Sequence, residues 1–106
     1  MGKRRITSPE PSGPSGSLHG VIVADTLDLH GENSVTAERR LESFLVRWHR
    51  TRSGVVVRVI TGRGNRSEGG PVLRGVVRQL LVGRLAGYVE EFTVDEGAGA
   101  YLVRVR

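Results

Sequence analysis

One run constrains this chain more than any other: VVVRVIT, residues 55–61. It is β-branched and apolar at both odd and even positions, with Arg58 as the exception. Successive side chains of a strand point to opposite faces, so such a run belongs inside a sheet covered on both sides rather than at a solvated rim. The next residues narrow the choice further. TGRGNRSEGG, residues 61–70, carries four glycines and two arginines. PVLRGVVRQLLVGRL then places Leu73, Val76, Val77, Leu80 and Leu81 at helical spacing, with Pro71 near the first helical position. A buried strand, a glycine loop and an amphipathic helix in succession are the elements of a βαβ-type layered fold.

The flanking segments extend this pattern. In VIVADTLDLHG, Leu27 and Leu29 fall on one face of an extended segment, and Asp28 and His30 fall on the other. ENSVTAERRLESFLVRWHRTRSG reads as a helix that Asn33 or Ser34 caps, with Ala37, Leu41, Phe44, Leu45 and Trp48 as its buried stripe and Gly54 as its stop. YVEEFTV and YLVRV read as two strands joined by DEGAGA. The element order is β-α-β-α-β-β, and helical crossovers between parallel strands place both helices on one face, giving a two-layer α/β sandwich. Residues 1–20, rich in Pro, Ser and Gly with a Lys3-Arg4-Arg5 cluster, are expected to form a disordered basic tail, and residues 21–106 the single domain.

Composition removes several function classes. The absence of cysteine rules out a disulfide framework and thiolate chemistry. Three histidines, His19, His30 and His49, are too few to build a Cys/His zinc cage. No apolar run is long enough to span a membrane, and the N-terminal MGKRRITSPEP has no apolar signal core, so a cytoplasmic protein without membrane contact is expected. The net charge of +5 is unevenly placed: arginines crowd residues 50–84 around Glu68 alone, whereas Glu90, Glu91, Asp95 and Glu96 lie in a stretch without cations. Those four acids read as a solvated acidic edge rather than a metal site. No cofactor motif is evident, and no ligand set calls for a divalent metal.

The glycine loop joins a strand's C-terminal end to a helix N-terminus, where backbone N–H groups and the helix dipole favour an anion. It lacks the spacing of G-x-G-x-x-G, since Ser67 takes the third glycine's place, and Pro71 stands where a Walker loop has Lys. A nucleotide pocket is therefore disfavoured. If the first two strands are parallel, Asp28, His30 and the arginine-rich loop meet at one sheet edge, where ligands of parallel sheets gather. A base or acid, its orienter and a cationic stabiliser suit phosphodiester chemistry. A local turn cap at Asp28 and a purely structural His30 remain the alternative. Trp48 and Phe44 read as core, His49 as part of a solvated basic face, and His19 as part of the tail or beside it.

LDLHG at 27–31, LESFL at 41–45, VRVITGRG at 57–64, GGPVLRGVV at 69–77 and GAGAYLVRV at 97–105 together resemble the small MutS-related (Smr) domain, in one register from about residue 25 to 106. The resemblance implies a four-stranded mixed sheet similar to the C-terminal domain of translation initiation factor three, with the last strand inserted between neighbours and antiparallel to them. It also implies nucleic-acid binding and, for many members, endonuclease activity on DNA or RNA. The family's D-x-H falls on Asp28 and His30, and its T-G-K-G on Thr61, Gly62, Arg63 and Gly64. Arg66-Ser67 stands where many relatives carry His-Ser, so a second imidazole is missing there. No ATPase or mismatch-recognition domain accompanies these motifs, which fits a stand-alone Smr protein or an excised Smr domain.

These readings leave two main function classes. In the first the chain is an endonuclease: His30 is the general base or acid, Asp28 its orienter and Arg63 the stabiliser of transition-state charge, with Thr61, Gly62, Arg63, Gly64, Arg66, Ser67, Arg74 and Arg78 holding nucleic acid. In the second it is a non-catalytic module that binds nucleic acid or a ribosome. A protein-interaction domain using the acidic last hairpin is a third. The chain is expected to act as a monomer.

Overall fold

A computed structural model describes residues 18–62, 73–95, 97 and 99–106. The tail through residue 17, Arg63, Gly64, Arg66, Ser67, Pro71 and Glu96 lie outside the described residues. The elements are β1 (Val23–Asp28), α1 (Ser34–Thr51), β2 (Val56–Ile60), α2 (Leu73–Val82), a 3-10 turn (Ala86–Tyr88), β3 (Val89–Asp95) and β4 (Ala100–Val105). The order β-α-β-α-β-β and the four-stranded mixed sheet agree with the sequence reading. Strand order is β1-β2-β4-β3. β1 and β2 are parallel, with Asp28 opposite Ile60. β4 lies between β2 and β3 and is antiparallel to both.

α1 starts where Asn33 Oδ1 accepts the Thr36 N–H at 2.8 Å, satisfying one donor that has no partner within the helix. Its apolar stripe of Ala37, Leu41, Phe44 and Leu45 is buried, while Trp48 at the end is half-buried and donates its Nε1–H to Asp25 at 3.3 Å. α2 buries Val77 and Leu81, while Leu73, Val76 and Leu80 are half-buried. Both helices join one core with Leu27, Val57, Val59, Tyr101 and Val103. All of these core residues come from a single face of the sheet.

The helices therefore cover only one side of β2, and the apolar residues on its other side have a different cover. Val56 packs with Leu102 under the turn that carries Leu18, which is fully buried. Close packing thus reaches three residues ahead of Val21, where the domain was expected to begin. The rest of that face is closed by charge: Arg58 pairs with Asp95 at 3.4 Å and Arg104 with Glu91 at 3.1 Å, both part-buried. The strand is covered on both sides as its sequence demands, by helices on one and by a turn and ion pairs on the other.

Candidate nucleic-acid interface

Parallel pairing of β1 with β2 brings their C-terminal ends to one edge. The Leu29 N–H donates to the Ile60 carbonyl at 2.8 Å, which carries the pairing one residue past the strand and leaves His30 beside the start of the glycine loop. Contact results directly: a Cβ placed on Gly62 would lie 3.4 Å from the Cβ of His30. Gly62 has φ of 89°, and Gly31, which turns the chain away after His30, has φ of 84°. L side chains rarely adopt that region, so glycine at these two places is what lets the two chain ends approach.

The local geometry of His30 is set by Asp28. One carboxylate oxygen, Oδ1, accepts both the His30 backbone N–H at 3.0 Å and the ring Nδ1 at 2.7 Å. An ionised carboxylate only accepts, so Nδ1 carries the proton and Nε2 faces outward. The two side chains are 51% and 69% exposed for Asp28 and His30, which keeps Nε2 open to a ligand. The hydrogen bond that the ring donates to Asp28, then the charge of Asp28, raises the pKa of His30 above that of a free imidazole. The same ring hydrogen bond, followed by the backbone one, lowers the pKa of Asp28.

Arg40 braces this turn. Its Nη1 donates to the Asp28 carbonyl at 3.3 Å and to Glu32 Oε2 at 2.9 Å. Nothing in the sequence marks Arg40 for this task, because it lies on the next helix and is one of many arginines. A second brace holds the other side. Thr61 is buried; its N–H and that of Gly62 both donate to the Gly99 carbonyl at 3.0 Å, and its hydroxyl donates to the carbonyls of Gly62 and Gly99. Thr61 and Gly62 thus tie the loop's start to the β3–β4 connection, and the Gly62 N–H is engaged within the protein. The binding groups of the loop expected at Arg63, Gly64, Arg66 and Ser67 lie outside the described residues.

Arg74 and Arg78 are carried by α2. The Arg74 carbonyl accepts the Tyr101 hydroxyl at 3.2 Å, which anchors the start of the helix to the central strand β4. Burial raises the pKa of Tyr101, and the two nearby arginines oppose that rise. Among the described residues neither Arg74 nor Arg78 pairs with a carboxylate, in contrast with Arg40, Arg47, Arg58, Arg84, Arg104 and Arg106.

Residues 27–106 match the Smr domain family, most of the chain. The chain belongs to the Smr domain family. No curated protein gives a significant match to it. Family membership supports a nucleic-acid-binding module, and the charge pattern is in keeping: among the described residues, the arginines of this Smr domain that lack carboxylate partners include the pair on α2.

The remaining candidates sort out plainly. Of the expected solvated acidic edge, Glu90, Glu91 and Asp95 each face an arginine, respectively Arg106, Arg104 and Arg58, and Glu96 lies outside the described residues. Among the described residues no group of three or more metal-binding side chains converges. His49 is more than part of a solvated face: its Nδ1 bonds the Arg106 carbonyl and its ring meets Tyr88 edge-on at 5.4 Å. His19 bonds the Val94 carbonyl on β3 at 3.2 Å. Among the described residues no helix is long and apolar enough to cross a membrane.

Proposed function

We propose that this Smr domain is an endonuclease that breaks phosphodiester bonds of DNA or RNA, with the Asp28–His30 pair as its acid–base group. The observation that carries the reading is the placement of His30, an exposed imidazole held by a carboxylate, with its Cβ beside Gly62, the first glycine of the arginine-bearing loop. A phosphate bound at the start of that loop, beside Gly62, would lie near His30. Arg63 stabilises the charge that grows on the phosphoryl oxygens, and Arg74 and Arg78 hold neighbouring phosphates. Thr61 contributes by fixing the loop's take-off.

The raised pKa leaves more of His30 protonated near neutral pH than a free imidazole would be. That supports an acid role: an oxygen nucleophile, water or a ribose 2′-hydroxyl, bonds to phosphorus and gives up its own proton to solvent, the P–O bond to the leaving oxygen breaks, and Nε2–H delivers its proton to that oxygen. Asp28 keeps the ring oriented and stabilises the imidazolium. Cleavage of structured RNA and of nicked or branched DNA by wild type and by His30→Ala tests this. Loss of about 10²–10⁴-fold is expected, the usual contribution of a positioned acid or base. Equal cleavage by both proteins, or cleavage of no substrate by wild type, overturns it.

One observation favours the non-catalytic reading, in which the same surface docks nucleic acid, including that of a ribosome. His30 has no imidazole partner among the described residues. His19 sits against β3 at the far edge of the sheet, three strand spacings or about 14 Å from β1, and His49 packs on Tyr88 and Arg106. A mechanism needing two histidines has no second one here. Tight binding without cleavage at any pH or with any metal ion would decide for this reading.

A further inference from the structure

The charges of α1 are sorted by side. Glu38 and Glu42 lie on the flank that faces the end of α2, where Arg84 donates to both. Arg39, Ser43, Arg47 and Arg50 recur at spacings of three and four, so they form one row along the helix. Arg47 reaches Asp25 at 3.6 Å, and Arg39, Ser43 and Arg47 share a groove with Leu27, which places the first part of this row beside β1, the edge strand that leads into His30. Two open grooves run along it. One, of 380 Å³, is lined by Leu27, Arg39, Arg40, Ser43, Phe44 and Arg47. The next, of 400 Å³, shares Ser43 and Arg47 with it and extends to Arg50 and Thr51. Arg39 and Arg50 are exposed, and among the described residues neither pairs with a carboxylate. The row begins near the Arg40 brace of the His30 turn and continues for about 16 Å from Arg39 to Arg50 at the helical rise.

We propose that the Arg39–Ser43–Arg47–Arg50 row of α1 is a track for the phosphate backbone of a double-stranded nucleic acid, leading away from the His30 end. The inference rests on the nucleic-acid reading given above and extends it to a second surface. Arginine forks and a serine hydroxyl are donors suited to successive phosphate oxygens. The row has no exposed aromatic ring: Phe44 is buried, and Trp48 is half-buried and held by Asp25. Single strands are gripped largely by base stacking on such rings, whereas a stiff duplex presents phosphates to a stiff helix without them.

Salt titrations of binding by the full chain test the track, using a two-turn DNA duplex, its RNA counterpart and a single strand of the same length. The double variant R39Q/R50Q is compared with R84Q/R104Q, which removes the same charge elsewhere. On the DNA duplex R39Q/R50Q is expected to lower the slope of log affinity against log salt by about 1.8, at about 0.9 for each lost contact. R84Q/R104Q is expected to lower it by less than half as much, and the single strand to show no difference between R39Q/R50Q and wild type. An unchanged slope for R39Q/R50Q on both duplexes overturns the track alone, since wild type still binds. So does an equal loss in the two double variants, which would report net charge only, or a loss confined to the single strand. Absence of wild-type binding to all three probes overturns the nucleic-acid reading and the track with it.

Discussion

The two ends of the sheet use the same residue types for different purposes. At the far end, where β2 begins and β4 finishes, His49 bonds the Arg106 carbonyl, Arg104 donates to the Gly54 carbonyl at 3.0 Å, Arg106 donates to that of Val89 at 3.2 Å, and the Gly54 N–H donates to Val105 at 2.7 Å. Histidine, arginine and glycine are there joined to backbone carbonyls and close the sheet. At the near end His30 is joined to a carboxylate, Gly62 sits against its Cβ, and Arg74 and Arg78 lack carboxylate partners among the described residues. A side chain bonded to a carbonyl is a fastener, with little left to offer a ligand. An imidazole held at one nitrogen by a carboxylate, with the other nitrogen exposed, is oriented for proton transfer.

Exchanging the histidines breaks the comparison most directly. His30→Ala is expected to lose about 10²–10⁴-fold in cleavage with the melting temperature nearly unchanged. His49→Ala is expected to keep its turnover and lose about 0.5–1.5 kcal/mol of stability, the net worth of a typical hydrogen bond, as measured by denaturant unfolding. A large loss of turnover in His49→Ala, with the protein folded, would erase the distinction between the two ends.

The glycines sharpen it. Gly62 and Gly54 have nearly the same backbone, with φ of 89° and 93°. Alanine at either is expected to cost about 1–2 kcal/mol, because an L side chain is strained there. Only at Gly62 would the new Cβ meet His30; at Gly54 nothing lies within 4 Å. Gly62→Ala should therefore lose cleavage beyond its stability loss, and Gly54→Ala should not. Unfolding curves and single-turnover rates on the same preparations separate the two effects.

Much of the near end was legible in the sequence. The alternation of Leu27, Asp28, Leu29 and His30 fixed which side chains are buried and which are presented, since period two follows from strand geometry alone. The insertion of β4 between β2 and β3 was not a matter of periodicity; it came from the resemblance to the Smr domain. What stayed hidden depends on tertiary contacts between a side chain and a distant carbonyl. Arg40 bracing Asp28, Thr61 and Gly62 bonding Gly99, and His49 closing on Arg106 leave no local pattern, because each partner is a backbone atom whose identity is the same in every residue. The ion pairs of Glu91 and Asp95, read as part of a solvated acidic edge, stayed hidden for a related reason: their arginines come from strands that pairing, not spacing, brings close.

A smaller effect separates the arginines. Arg74→Ala and Arg78→Ala are each expected to lower the salt slope of nucleic-acid binding by about 0.7–0.9, the smaller value for single strands. Arg58→Ala should leave the slope near the wild-type value, because Arg58 already faces Asp95 on the other side of the sheet. Affinity should fall for all sequences alike, as phosphate contacts position a ligand without reading bases. A slope lost in Arg58→Ala but kept in Arg74→Ala and Arg78→Ala would move the phosphate surface off α2.

The smallest expected effect is the pH dependence of stability, and its sign comes from the Asp28–His30 pair. Asp28 has its pKa lowered in the folded chain, so its contribution is present above the unfolded value of 3.8 and is lost as pH falls through the folded one. His30 has its pKa raised, so its contribution is full below the unfolded value of 6.5 and is lost as pH rises through the folded one. The pair therefore adds stability between these limits, across mildly acidic pH, and adds least at the two extremes. Both side chains are exposed, and salt and water screen the interaction, so the gain is small. In Asp28→Asn the carboxylate is gone: the His30 ring should titrate lower by NMR than in wild type, and the stability difference between the two proteins should shrink as pH rises past the wild-type His30 midpoint. A His30 titration that does not move in Asp28→Asn would mean that the carboxylate does not hold the ring in solution. The near end would then be an open histidine beside a glycine loop, without the oriented proton donor that distinguishes it from the far end.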